Sequence, residues 1–246
     1  MAGHNKWSKI KRQKAASDSK KSKVWARITR DITVAAREGG SDPGMNPKLG
    51  LAIEKAKSEN MPKDNIARAI KRGTGEIEGQ EYEEVAYEGY APGGVAIFIE
   101  TLTDNTNRTV ADLRSFFSKA GGSLGKTGTV AYLFERKGLI QIAAEGRDEL
   151  ELFDLVAEAG AEDLEQDDET FMVTTPVETF DAVHTALHDA GITPSDAHLV
   201  RLPTTTVKLD PKQALKVMNF IEKVEDHQDV QAVYSTLDEE SVPAEA

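Results

Sequence analysis

Three stretches in the first seventy-odd residues place apolar side chains three to four positions apart. Trp25, Ile28, Ile32 and Ala35 predict a helix from about Asp18 to Glu38, ended by Gly39-Gly40. Asn46-Pro47 has the form of an N-cap followed by proline at the first helical position, opening a helix through Ala52, Ile53 and Ala56. Met61-Pro62 opens a third, with Ile66 and Ile70 four apart and Gly73 as its stop. Three short helices with short connections predict a small bundle. Residues 1–16 have no apolar stripe beyond Trp7 and Ile10, and read as an arm that stays disordered until it meets a partner.

Thr74 to Glu84 is rich in Gly and Glu and reads as a linker, after which the apolar pattern changes. Residues 85–90 and 95–102 predict strands joined by a Pro-Gly-Gly turn, 107–119 an amphipathic helix closed by Gly121-Gly122, and 130–135 a further strand. From Gly138 the expected order is strand 139–143, helix 148–159, strands 161–165 and 170–175, helix 177–190 and strand 197–202. That β-α-β-β-α-β order is the ferredoxin-like arrangement. A short strand at 205–209, a helix over 211–225 and a strand at 229–234 then complete the sheet begun at Val85.

The fold class expected is therefore α+β, with an N-terminal three-helix bundle and two α/β domains, one ferredoxin-like and inserted in the other. The expected boundaries are 1–80 for arm and bundle, 81–137 plus 204–238 for one α/β domain, 138–203 for the insertion, and 239–246 for a disordered acidic tail.

Composition changes this picture in one respect. The whole-chain net charge of -12 argues against a polyanionic partner, but the average misleads. Residues 1–73 hold 18 Lys/Arg against 7 Asp/Glu, and residues 1–30 hold ten basic residues against Asp18 alone. Such asymmetry marks contact with nucleic acid or a membrane surface. No run is apolar enough to span a bilayer and the N-terminus lacks the apolar core of an export signal, so a soluble cytoplasmic protein is expected. The absence of cysteine excludes disulfides, thiolate nucleophiles and Cys-based zinc sites.

The candidate nucleic-acid contacts are Lys6, Lys9, Lys11, Arg12, Lys14, Lys20, Lys21, Lys23, Arg27 and Arg30. Lys20, Lys23, Arg27 and Arg30 fall on one helical stripe beside the apolar face of Trp25, Ile28 and Ile32, where they can lie along phosphates. The competing reading is a solvated helix, or a contact with an acidic region of the same chain. The loop from Asp104 to Thr109 offers Asn105 and Arg108 as a secondary polyanion contact, although Asn and Asp before a helix serve first as a turn and N-cap.

Other constellations carry less. Gly125-Lys126-Thr127 imitates the end of a phosphate-binding loop, but Ala120 stands where its first glycine belongs. His184 and His188 are four apart, without the partners a zinc site needs. No Ser/His/Asp or paired-carboxylate arrangement appears. The expectation is a chain that is not an enzyme, with no cofactor and no metal, and with acidic α/β domains free to recruit a protein partner.

Longer motifs carry a resemblance. Met1 to Lys11 (Met-Ala-Gly-His-Asn-Lys-Trp-Ser-Lys-Ile-Lys), Tyr87 to Val95 (Tyr-Glu-Gly-Tyr-Ala-Pro-Gly-Gly-Val), Leu102 to Ala111, Phe117 to Gly125 and Val130 to Phe134 resemble the YebC family in order and through most of the chain. The resemblance implies three domains, one α/β domain inserted in the other. It also implies a cytoplasmic DNA-binding regulator of transcription. A related mitochondrial activator of translation makes ribosomal RNA the alternative target.

Overall fold

The computed structural model describes residues 18–167 and 169–242, with seven α-helices and two four-stranded sheets among them. The chain divides into two compact units, each discontinuous in sequence. One holds residues 1–30, 79–135 and 202–246, the other 31–78 and 136–201.

The three expected helices are α1 (Asp18–Gly39), α2 (Pro47–Ser58) and α3 (Lys63–Gly73). One side chain organises the turn between the first two. Asn46 caps α2 by accepting from the Leu49 N–H at 3.1 Å, while its amide donates to the carbonyls of Ala35 at 2.8 Å and Gly40 at 3.0 Å. Gly39 leaves room for it, since a Cβ there would lie 2.6 Å from the Asn46 amide. Gly73 closes α3 for a similar reason: a Cβ would meet the Thr33 carbonyl oxygen at 2.3 Å. In the second unit Ile32, Ala35, Leu49, Ala56 and Ala69 are all buried.

The first sheet has the order β3-β1-β2-β8, antiparallel throughout. It comprises β1 (Glu83–Tyr90), β2 (Ala96–Thr103), β3 (Ser123–Leu124) and β8 (Val230–Ser235). Helices α4 (Thr106–Ala120) and α7 (Pro211–Glu225) cover one face, burying Leu113, Phe117, Val217 and Ile221 against Ile97 and Ile99. The Phe117 and Phe220 rings meet edge to face at 4.9 Å. The other face holds a smaller apolar group of Ala96, Phe98, Val130 and Phe134.

The second sheet has the order β5-β6-β4-β7, from β4 (Phe134–Ala143), β5 (Asp163–Asp167), β6 (Thr170–Thr175) and β7 (Asp196–Pro203). Helices α5 (Glu149–Glu158) and α6 (Phe180–Asp189) complete its β-α-β-β-α-β order. Alternate strand residues Ile140 and Ile142, with Phe171 and Val173, bury against Leu152, Val156, Val183 and Leu187.

Three local expectations fail. The disordered tail expected at 239–246 is ordered where it is described: Glu239–Ser241 is a 3-10 turn, Val242 joins the core, and the Ser241 hydroxyl accepts from the Leu209 N–H at 3.1 Å. Residues 130–135 are not a separate strand: Ala131–Leu133 is a 3-10 turn leading into β4. The amide hydrogens of Val130 and Ala131 are bound by the Glu88 carboxylate, and so are not available to a ladder. The strand expected at 205–209 is reduced to one bridge between Val207 and Leu237.

Candidate functional site

Of the ten basic candidates, Lys6, Lys9, Lys11, Arg12 and Lys14 lie outside the described residues. Lys20 and Lys21 begin α1, but their side chains are not described. The remaining three converge on the C-terminal end of α7. Lys23 Nζ lies 3.0 Å from Asp226 Oδ1, both side chains being half-exposed or more. The guanidinium of Arg27 donates to the Glu225 carbonyl, and that of Arg30 to the Gln228 carbonyl. Arg30 also lies over the Tyr82 ring, 5.8 Å from its centroid.

The last carbonyls of a helix lack intrahelical partners and carry the negative end of its dipole, so cations are favoured there. The stripe formed by Lys23, Arg27 and Arg30 thus meets a negative region within its own unit. The Lys23–Asp226 pair, exposed on both sides, contributes about 0–1 kcal/mol. The two arginine contacts end on main-chain carbonyls, acceptors that substitution of the Glu225 or Gln228 side chain leaves in place.

In the loop Asp104–Thr109 both candidate residues have partners within the fold. Asn105 is the N-cap of α4, its Oδ1 accepting from the Arg108 N–H at 3.0 Å. The Arg108 guanidinium is bound to Asp104 and Asp229, each at 2.7 Å. Asp229 is buried and also accepts from the hydroxyls of Thr109 at 2.8 Å and Thr103 at 3.2 Å. Burial alone would raise its pKa. The hydrogen bonds from Arg108, Thr109 and Thr103 outweigh that and hold it below the ordinary aspartate value. Arg108 in turn is held protonated, chiefly by Asp229 and Asp104.

Three carboxylates that carry much of the local order had no sequence signal beyond their type. Glu88 is buried within β1 and accepts from the N–H groups of Gly128 at 2.7 Å, Val130 at 2.6 Å and Ala131 at 2.8 Å. Loop amides gathered on one point are the kind of donor that binds a phosphate. Just after Gly125-Lys126-Thr127 such donors hold the chain's own carboxylate instead. Asp229 is the second. The third, Asp196, binds Lys55 at 2.8 Å beside His198; burial opposes ionisation, but His198 and Lys55 drive its pKa far below the ordinary value.

The histidine pair does not form a site. His184 Nε2 lies 3.2 Å from Glu54 Oε2, His188 is exposed, and among the described residues no group of three or more His, Asp or Glu side chains is placed to hold a metal ion. Among the described residues no helix is long and apolar enough to cross a membrane.

Comparison with known proteins covers nearly the whole chain. The family described as TACO1/YebC second and third domain matches residues 82–237, and the TACO1/YebC protein N-terminal domain matches residues 5–76. A probable transcriptional regulatory protein of Salinibacter ruber is 53% identical over 99% of this chain and 95% of its own length. A protein of the same name from Rubrobacter xylanophilus is 52% identical over 100% of this chain and 99% of its own. Among solved structures, a conserved hypothetical protein from Aquifex aeolicus aligns with TM-score 0.82 and 43% identity over 92% of each chain.

Proposed function

The chain belongs to the TACO1/YebC family, and from that premise we propose that it is a DNA-binding regulator of transcription that grips phosphates through its basic N-terminal segment. Its relatives are named probable transcriptional regulatory proteins, which supports a regulatory role rather than an enzymatic one. The observation that carries the nucleic-acid reading is the segregation of charge. Ten basic residues stand against one acid in residues 1–30, on a chain whose net charge is -12. Phosphate contact is therefore confined to that end, and the acidic remainder repels a polyanion.

The contacts of α1 refine which residues take the load. Lys23, Arg27 and Arg30 are committed to the end of α7 and fix the base of the segment. The arm ahead of them, with Lys6, Lys9, Lys11, Arg12 and Lys14, supplies the phosphate contacts, extended by Lys20 and Lys21. Asn105 and Arg108 are assigned to the fold and dropped from the interface. The protein works in the cytoplasm on this reading. We also read 138–203 as a ferredoxin-like module inserted into the domain formed by 81–137 and 204–238, with 1–80 as arm and bundle.

The test is a titration of labelled duplex DNA, and of an RNA stem, against salt. Neutralising five to seven phosphates gives a log–log slope between about −4.5 and −6. Replacing Lys9, Lys11 and Arg12 by Glu weakens binding to unrelated sequences alike. Unchanged affinity in that variant refutes the assignment. Recovery of crosslinked ribosomal RNA in place of promoter fragments moves the target from transcription to translation.

A further inference from the structure

The second unit carries a surface that phosphate contact leaves unexplained. Residues 136–201 hold sixteen acidic residues and four basic ones. Within them α5 holds Glu149, Glu151, Asp154 and Glu158 and no basic residue at all. Its core side is made by Leu152 and Val156, 3% and 1% exposed. A second apolar stripe looks outward: Leu150 is 74% exposed and Phe153 48%, and Ala157 is exposed one turn on. Residues three and four apart on a helix are neighbours, so these form one patch.

Among the described residues the carboxylates around that patch are not neutralised. None of the four forms an ion pair among the described residues, whereas Glu162 nearby in sequence is bound by Lys137 at 2.8 Å. Asp154 and Glu158, four apart, repel each other across one turn. The helix persists because Asp148 caps it, accepting from the amides of Leu150 at 2.9 Å and Glu151 at 3.1 Å, and because Leu152 and Val156 are buried. A single exposed leucine needs no explanation. A Leu–Phe pair fenced by four unpaired carboxylates does.

We propose that the outward face of α5 is the docking surface for a cationic amphipathic helix of a partner protein. Apolar side chains of the partner cover Leu150 and Phe153, and its Lys and Arg residues meet Glu149, Glu151, Asp154 and Glu158. The negative field excludes nucleic acid and anionic lipid from this face. The proposal stands on the second unit alone and does not depend on the basic segment.

The probe is a labelled peptide of about 18 residues of Leu and Lys, with Leu at helical spacing; the control is the same composition scrambled. At about 0.1 M salt the full-length protein binds the patterned peptide roughly tenfold tighter than the control. Backbone amide shifts cluster at residues 149–158. Leu150→Ser with Phe153→Ser removes the preference, and Asp154→Asn with Glu158→Gln weakens both peptides. If the double apolar variant unfolds, Leu150→Ser alone serves, because that side chain contributes little to the core. Equal binding of the two peptides overturns the proposal, as does a preference that survives Leu150→Ser. Shifts outside α5, or shifts within it on adding duplex DNA alone, also overturn it.

Discussion

Replacing Arg108 by alanine tests whether this residue belongs to the fold or to a polyanion interface. The substitution removes two charge-assisted hydrogen bonds of 2.7 Å, to Asp104 and to the buried Asp229. Stripping the partner from a fully buried charge costs about 3–5 kcal/mol. The Arg108 side chain is 36% exposed, so water takes over part of its role, and Thr103 and Thr109 still donate to Asp229. The expected loss is about 2 kcal/mol, a fall in Tm of roughly 4–8 °C for a chain of this size. The N-cap survives, because Asn105 accepts from the Arg108 main-chain N–H.

Thermal and urea unfolding followed by circular dichroism measures the loss. A double-mutant cycle with Asp229→Asn isolates the pair. Asp229 has a depressed pKa, so its contribution is complete above the ordinary aspartate value and disappears as pH falls through the folded value. The stability gap between the native protein and Asp229→Asn therefore narrows below about pH 4. A Tm unchanged in Arg108→Ala refutes the reasoning, as does an equal loss in the Asp229→Asn background. A tenfold fall in DNA affinity with the Tm intact would return Arg108 to the interface.

Glu88→Gln retains one carboxamide oxygen where two carboxylate oxygens accepted three amides, and is expected to cost about 2–3 kcal/mol; hydrogen exchange accelerates at Gly128, Val130 and Ala131, and unaltered protection there contradicts the stapling role. Asn46→Ala removes a helix cap and two further hydrogen bonds from a buried position, a loss of about 2–3 kcal/mol in urea melts; a loss within 0.5 kcal/mol, about that of a neutral surface change, contradicts it.

What was legible in the sequence was local. Gly39-Gly40, Asn46-Pro47 and Gly73 punctuate helices because their backbone or capping chemistry acts within a few residues, and the helices end where those residues stand. The same holds for Asn105, whose role as a cap follows from its place before α4. The alternation in β4 to β7 and the spacing in α5 and α6 revealed that order of elements. What was not legible depends on pairing over long separations. Nothing near Glu88 announces that its carboxylate meets amides some forty residues on, and so the apolar pattern of 130–135 predicts a strand that does not form. Nothing in the spacing of Lys23, Arg27 and Arg30 distinguishes a face turned to phosphates from one meeting residues 225–228. Exposure of Leu150 was equally hidden, because α5 has apolar residues on two sides and spacing alone does not say which is covered.

The position of β2 has a consequence for the order in which the chain is made. It pairs with β1 on one side and with β8 on the other, and β8 begins only at Val230. During synthesis the run Ala96-Ile97-Phe98-Ile99 therefore waits, through more than a hundred further residues, with one hydrogen-bonding edge unmet. An apolar strand edge left open in this way invites pairing with other chains. A nascent chain stalled or cleaved before Ser235 is thus an aggregation hazard, and β8, made after the other three strands of its sheet, is the one that removes it.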